Sequence, residues 1–103
     1  MLQQVGEANL RRDAAGFYKE LFSAPTSQHL IPKPEQWPPT FRRFEPLRVR
    51  AYADGFSLAL FDGHMGEEGL YVVPSGMDNV PRAGPHAEFR KMSDGIYWYR
   101  FPQ

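Results

Sequence analysis

Leu47-Arg48-Val49-Arg50-Ala51-Tyr52-Ala53-Asp54-Gly55-Phe56-Ser57-Leu58-Ala59-Leu60-Phe61 is the stretch that decides the fold of this chain. Polar and apolar residues alternate with period two on both sides of Asp54-Gly55, a dipeptide that readily takes the positive φ angles of a type I′ turn. The pattern predicts a β-hairpin from strands over 47–53 and 56–61. A two-residue turn at Asp54-Gly55 would pair Ala53 with Phe56, Ala51 with Leu58 and Val49 with Leu60, all on one apolar face. Arg48, Arg50, Tyr52, Ser57, Ala59 and Phe61 then fall on the opposite, mixed face.

Downstream, Leu70–Val73 is a third short strand stopped by Pro74, and residues 75–85 have the Gly, Pro, Asn and Asp content of a loop. Asp94-Gly95 joins 87–92 to 96–101 as a second hairpin. Its faces are less clean. A two-residue turn without irregularity puts Met92, Tyr97, Arg90 and Tyr99 on one side and Lys91, Trp98, Phe89 and Ile96 on the other, so either both faces are partly covered or the register differs by one.

Upstream, Leu10, Ala14, Phe17 and Leu21 follow the spacing that aligns side chains on one helix face, which predicts a helix over about 7–22. Glu7 lies four residues before Arg11 in the favourable order for an ion pair. A proline-rich strap follows at 24–39, with Leu30, Ile31 and Trp37 suited to lie against the body of the domain. Pro39 to Phe44 fits one turn of helix with Phe41 and Phe44 inward and Arg42 and Arg43 outward. The expected fold is α+β: one domain over 1–103, its N-terminal helix packed on an antiparallel meander sheet of four or five strands, with the β-rich half at 47–101.

Twelve Lys and Arg balance twelve Asp and Glu, so no net field favours nucleic acid or an anionic membrane, and no nucleic-acid partner is expected. Without cysteine there are no disulfides, thiolate metal sites or cysteine nucleophiles. Glu7, Arg11, Arg12, Asp13, Lys19 and Glu20 interrupt the N-terminal segment. It therefore lacks both the apolar core of a signal peptide and a membrane segment, and a cytoplasmic location is expected unless the chain is cut from a longer exported or tethered protein.

Two constellations merit chemical attention. Asp62-Gly63-His64 and His86-Ala87-Glu88 would each present a nitrogen and an oxygen on the same side of an extended backbone, and together they would make a divalent-cation site if the segments were neighbours. The bland alternative is a turn at Asp62-Gly63 with His64 in solvent and His86 in a loop. Arg48, Arg50, Tyr52, Arg90, Tyr97 and Tyr99 form the second set, since arginine and tyrosine are enriched where proteins bind one another. Its alternative is that the strap covers this face and the tyrosines are half-buried. Phe41-Arg42-Arg43-Phe44 and Arg48-Val49-Arg50-Ala51-Tyr52 have the look of a nucleic-acid platform, but the balanced charge weighs against it, and the favoured interpretation makes Phe41 and Phe44 core anchors while the arginines extend over the sheet. No serine lies in a nucleophile elbow, and the glycines at 63 and 66 precede a strand rather than the helix that a phosphate cradle needs. Glu67 and Glu68 fall in a predicted loop, where a solvated charge pair is the plain interpretation.

Trp37-Pro38-Pro39-Thr40-Phe41, Glu45-Pro46-Leu47-Arg48-Val49, Asp54-Gly55-Phe56, Gly69-Leu70-Tyr71-Val72-Val73 and Asp94-Gly95-Ile96-Tyr97-Trp98-Tyr99 taken together resemble small bacterial proteins of unassigned function. These pair an N-terminal helix with a double-proline lead-in and a hairpin-rich C-terminal half ending in an Asp-Gly-aromatic segment. The resemblance implies a bacterial source and the same α+β fold, and it transfers no catalytic or ligand-binding residue. The expectation for function is a non-enzymatic protein-interaction module without a cofactor. The alternatives are a homo-oligomeric assembly domain, in which an uncovered hairpin edge drives self-association, and a small metal-dependent enzyme using Asp62, His64, His86 and Glu88.

Overall fold

The computed structural model describes residues 6–22, 31–64, 66–77, 81 and 87–102. Helix α1 spans Glu7–Leu21, with Leu10, Ala14 and Phe17 buried at the predicted spacing. Glu7 in its first turn and Lys19 in its last suit the helix dipole. Arg11 does not pair with Glu7. Its guanidinium instead donates to the carbonyls of Val73 (2.9 Å), Pro74 (3.3 Å) and Met77 (3.1 Å), tying the helix to the segment that leaves the sheet.

Of the proline strap, 31–39 is described, including a 3₁₀ turn at Pro34–Gln36, and Leu30 lies outside the described residues. Trp37 packs against the helix-side core, as expected, whereas Ile31 is exposed. Helix α2, Pro39–Arg42, follows, and Thr40 Oγ donates to Asp13 of α1 at 2.8 Å. Phe41 and Phe44 are buried with Arg42 and Arg43 outside, the arrangement predicted for this turn.

Among the described residues, five antiparallel strands make one sheet: β1 (Arg48–Tyr52), β2 (Gly55–Gly63), β3 (Gly66–Val72), β4 (Glu88–Ser93) and β5 (Ile96–Phe101). The α+β class is as expected. The order is β1-β2-β3-β5-β4, a meander through three strands that ends in an inverted hairpin. Composition accounts for the inversion. β5 carries Ile96, Tyr97, Trp98, Tyr99 and Phe101 and belongs inside the sheet, whereas β4, with Glu88, Arg90 and Lys91, suits an edge.

The first hairpin keeps its apolar face but not its predicted register. Ala51 pairs with Phe56, Val49 with Leu58 and Tyr52 with Gly55, so the turn residues are Ala53 and Asp54 rather than Asp54 and Gly55. Gly55 is already in the strand, where a Cβ would stand 2.6 Å from the Val72 carbonyl oxygen. The glycine is therefore required by the close approach of β3. Because the shift preserves side-chain parity, Val49, Ala51, Phe56 and Leu58 still meet the helix. Phe17 stacks on Phe56 (5.4 Å), and Phe41 meets both rings edge-on.

Two bulges change which side chains share a face. In β2, Ala59 pairs with Gly69 and Phe61 with Glu68, leaving Leu60 as the extra residue. Phe61 thereby moves to the helix side and Asp62 to the other, the reverse of strict alternation. In β4, Lys91 pairs with Tyr97 and Ser93 with Ile96, so Met92 is extra. Around the Asp94-Gly95 turn this is the register slip of one that the mixed pattern left open. Phe89 joins Tyr97 and Tyr99 on one face, and Arg90 joins Trp98 on the other.

Candidate functional site

The sheet buries residues on both sides. On the face away from α1, Tyr71, Val73 and Tyr99 form a second core with Tyr52, Met77, Phe89, Tyr97 and Phe101 around it. Alternation along β3 puts Glu67, Gly69 and Tyr71 on this side. Glu67 is only 7% exposed and sits at the centre of a polar network. Arg50 Nη1 donates to both of its carboxylate oxygens at 2.9 Å, Tyr99 Oη donates at 2.8 Å, and Arg48 adds a close contact. Arg48 also reaches Asp62 at 2.8 Å, an ion pair that exists because the Leu60 bulge brings Asp62 to this side. Hydrogen bonds to Asp62 and then Glu67 raise the Arg48 pKa above its ordinary value.

Two arginines and two carboxylates make this cluster neutral, and its members satisfy one another. Burial, reinforced by hydrogen bonds to Asp54 and Glu67 respectively, raises the Tyr71 and Tyr99 phenols well above the usual tyrosine range. Tyr52, stacked on Tyr71 at 6.0 Å, is raised chiefly by burial.

Of the six residues expected at a binding face, Arg48, Arg50, Tyr52, Tyr97 and Tyr99 do share one, and Arg90 does not. The shared face is not an open arginine and tyrosine surface, since Tyr99 is fully buried and both arginines are engaged by Glu67. Nor do the described strap residues lie over it; Trp37 packs on the helix side.

Of the residues expected to bind metal, Asp62, His64 and Glu88 are described, and these three are not brought together. His64 is exposed in the turn after β2, Asp62 is paired with Arg48, and His86 lies outside the described residues. Glu88 is on β4, separated from β2 by β3 and β5, a distance of about 14 Å at ordinary strand spacing. Among the described residues no group of three or more His, Asp or Glu side chains is placed to hold a metal ion.

Exposed aromatic chemistry lies on the helix side of the sheet, around the end of β2. Phe61, 61% exposed, rests against the Trp98 indole at 6.1 Å. The indole N–H donates to Glu68 at 3.2 Å, which fixes the ring. Leu47, also exposed, extends the apolar strip at the β1 edge. Beside it runs a shallow groove of about 370 Å³ lined by Glu68, Glu88, Phe89, Arg90, Trp98 and Arg100. The nearest approach of Arg100 to Glu88 is 3.5 Å, long for a hydrogen bond, and Arg100 Nε has no hydrogen-bond partner although that atom is buried.

Glu67, Phe61 and Trp98 are the site residues that sequence reasoning missed. Starting β3 at Leu70 left Glu67 in a loop; carrying the alternation back across Gly69 would have placed it on the Tyr71 face. The Leu60 bulge gives no such signal.

No known family model matches the chain, and neither the curated proteins nor the solved structures supply a match. Among the described residues, no helix is long and apolar enough to cross a membrane.

Proposed function

We propose that this chain is a non-enzymatic protein-interaction module whose docking surface is the helix side of the sheet around Trp98 and the exposed Phe61. The bacterial setting rests on the sequence resemblance. The observation that carries the proposal is the exposed Phe61 ring held against an oriented indole, next to the arginines at 90 and 100. An aromatic anchor beside arginines, with an apolar centre and charged margin, is the composition of an interface hot spot. The fitting partner is a protein surface offering an apolar side chain to Phe61 and Trp98 and a carboxylate to Arg90 and Arg100. The Glu67 cluster supports the same choice of face, because its arginines are already neutralised within the chain.

The test is photo-cross-linking in the native host with benzoylphenylalanine at Phe61, and at exposed Lys19 as the reference. One discrete partner captured at position 61 and not at 19 is the expected result. Identical products at both positions, or none at 61, would remove this surface from consideration.

A further inference from the structure

We infer that the outer edge of β4 pairs with the same edge of a second copy of this chain, antiparallel and two-fold symmetric about Phe89, to join two five-stranded sheets into one. β4 is bonded on one side only, to β5, and among the described residues nothing pairs with its other edge. Glu88, Arg90, Lys91 and Met92 are exposed along it.

The strand's charge order is what selects this occupant. A two-fold axis at Phe89 sets Glu88 opposite Arg90 of the second copy, and Arg90 opposite its Glu88, so the two opposite-charge pairs form together. Within one copy, Glu68 already pairs in register with Arg100 and Arg100 with Glu88. Arg90 of the second copy would continue that row of alternating sign across the seam. Arg90 has no ion-pair partner among the described residues of its own chain, so it is available to do so.

The other face agrees. Phe89 meets Tyr71 at 5.2 Å and Phe101 at 6.4 Å and is half-buried at the margin of the aromatic core. At the axis it would face Phe89 of the second copy, covering that margin. The register is restricted from the far end, because the Met92 bulge and Lys91 obstruct pairing there. β1, the other edge strand, offers nothing equivalent: it carries Arg48 and Arg50 on one face and no acidic residue.

This inference goes beyond the docking surface proposed above; the two share Arg90, whereas Phe61 and Leu47 lie away from the seam, so substitution at position 61 reads the docking surface and not the dimer. Sedimentation equilibrium over a wide concentration range tests it with Glu88→Arg, Arg90→Glu and the double variant. Both positions are exposed, and circular dichroism checks that each variant keeps the native spectrum. The wild type should self-associate to a dimer. Each single reversal should weaken dimerisation by about tenfold or more, because it turns both cross-seam pairs into like-charge contacts. The double reversal, which restores opposite charges across the seam in the swapped order, should recover part of the loss, the remainder reflecting the cation then placed opposite Arg100. Phe61→Asp, away from the seam, should leave dimerisation unchanged. A wild type that stays monomeric at all concentrations, single reversals without effect, or a double variant no better than the singles would each overturn the inference.

Discussion

At the scale of single residues, the tyrosine face is governed by where protons and charges are held. Glu67 stays in the sheet at 7% exposure because Arg50, Arg48 and Tyr99 together replace the water it loses. Tyr71 and Tyr99 are fully buried as neutral phenols, each bonded to a carboxylate that repels a phenolate. In the unfolded chain both phenols would lose their protons near about pH 10. The folded chain retains the protons above that pH. The stabilisation linked to these two groups is therefore complete below about pH 10 and is lost as pH rises through and beyond it. Tyrosine ring-carbon NMR during an alkaline titration should show Tyr71 and Tyr99 ionising together with loss of the native circular dichroism. Reversible ionisation of either one near pH 10 with the fold intact would contradict this account. These residues also show what the sequence could not convey: Arg48, Arg50 and Tyr99 are legible as a group from alternation, but their neutraliser is an apparent loop residue.

At the scale of elements, the contrast is between turn chemistry, which is written locally, and bulges, which are not. Helix α1, the short helix at 39–42 and both hairpins follow from spacing and from Asp-Gly dipeptides. The displaced register of the first hairpin, by contrast, answers to contacts with β3, and the Leu60 and Met92 bulges to the strands they pair with. A bulge exchanges faces beyond it, which is why strict alternation put Phe61 on the wrong side and left the second hairpin ambiguous. Gly95 is where turn chemistry and tertiary packing coincide. Its φ is +74°, and a Cβ there would stand 2.3 Å from Arg11 Nε, which is held by the Val73 carbonyl. Gly95→Ala must therefore strain the turn and displace Arg11. Thermal and urea unfolding should show a loss of roughly 1–3 kcal/mol, with the strain of the left-handed conformation supplying about 1–2 of it. An unchanged melting temperature would mean that neither the turn conformation nor the Arg11 contact matters to stability.

Across the whole molecule, a single sheet separates two cores, and its strands are not equally protected by them. β2 and β3 lie inside the sheet, with the helix-side cluster on one face and buried residues on the other; among the described residues β4 has a neighbour on one side only, and it is largely exposed. Opening β4 breaks one ladder and uncovers Phe89, whereas exposing the Leu70–Val72 amides requires both cores to separate. Native-state hydrogen exchange should therefore be graded, with Leu70, Tyr71 and Val72 exchanging only through global unfolding and 88–91 of β4 through much smaller openings. The gradient also distinguishes a free edge from a paired one. Amides of β4 that point away from β5 should gain protection as protein concentration rises if a second copy pairs there, while those of Leu70–Val72 remain at their global limit. Equal protection of β3 and β4 at low concentration would show that the edge strand opens only with the whole fold, and the graded arrangement would be wrong.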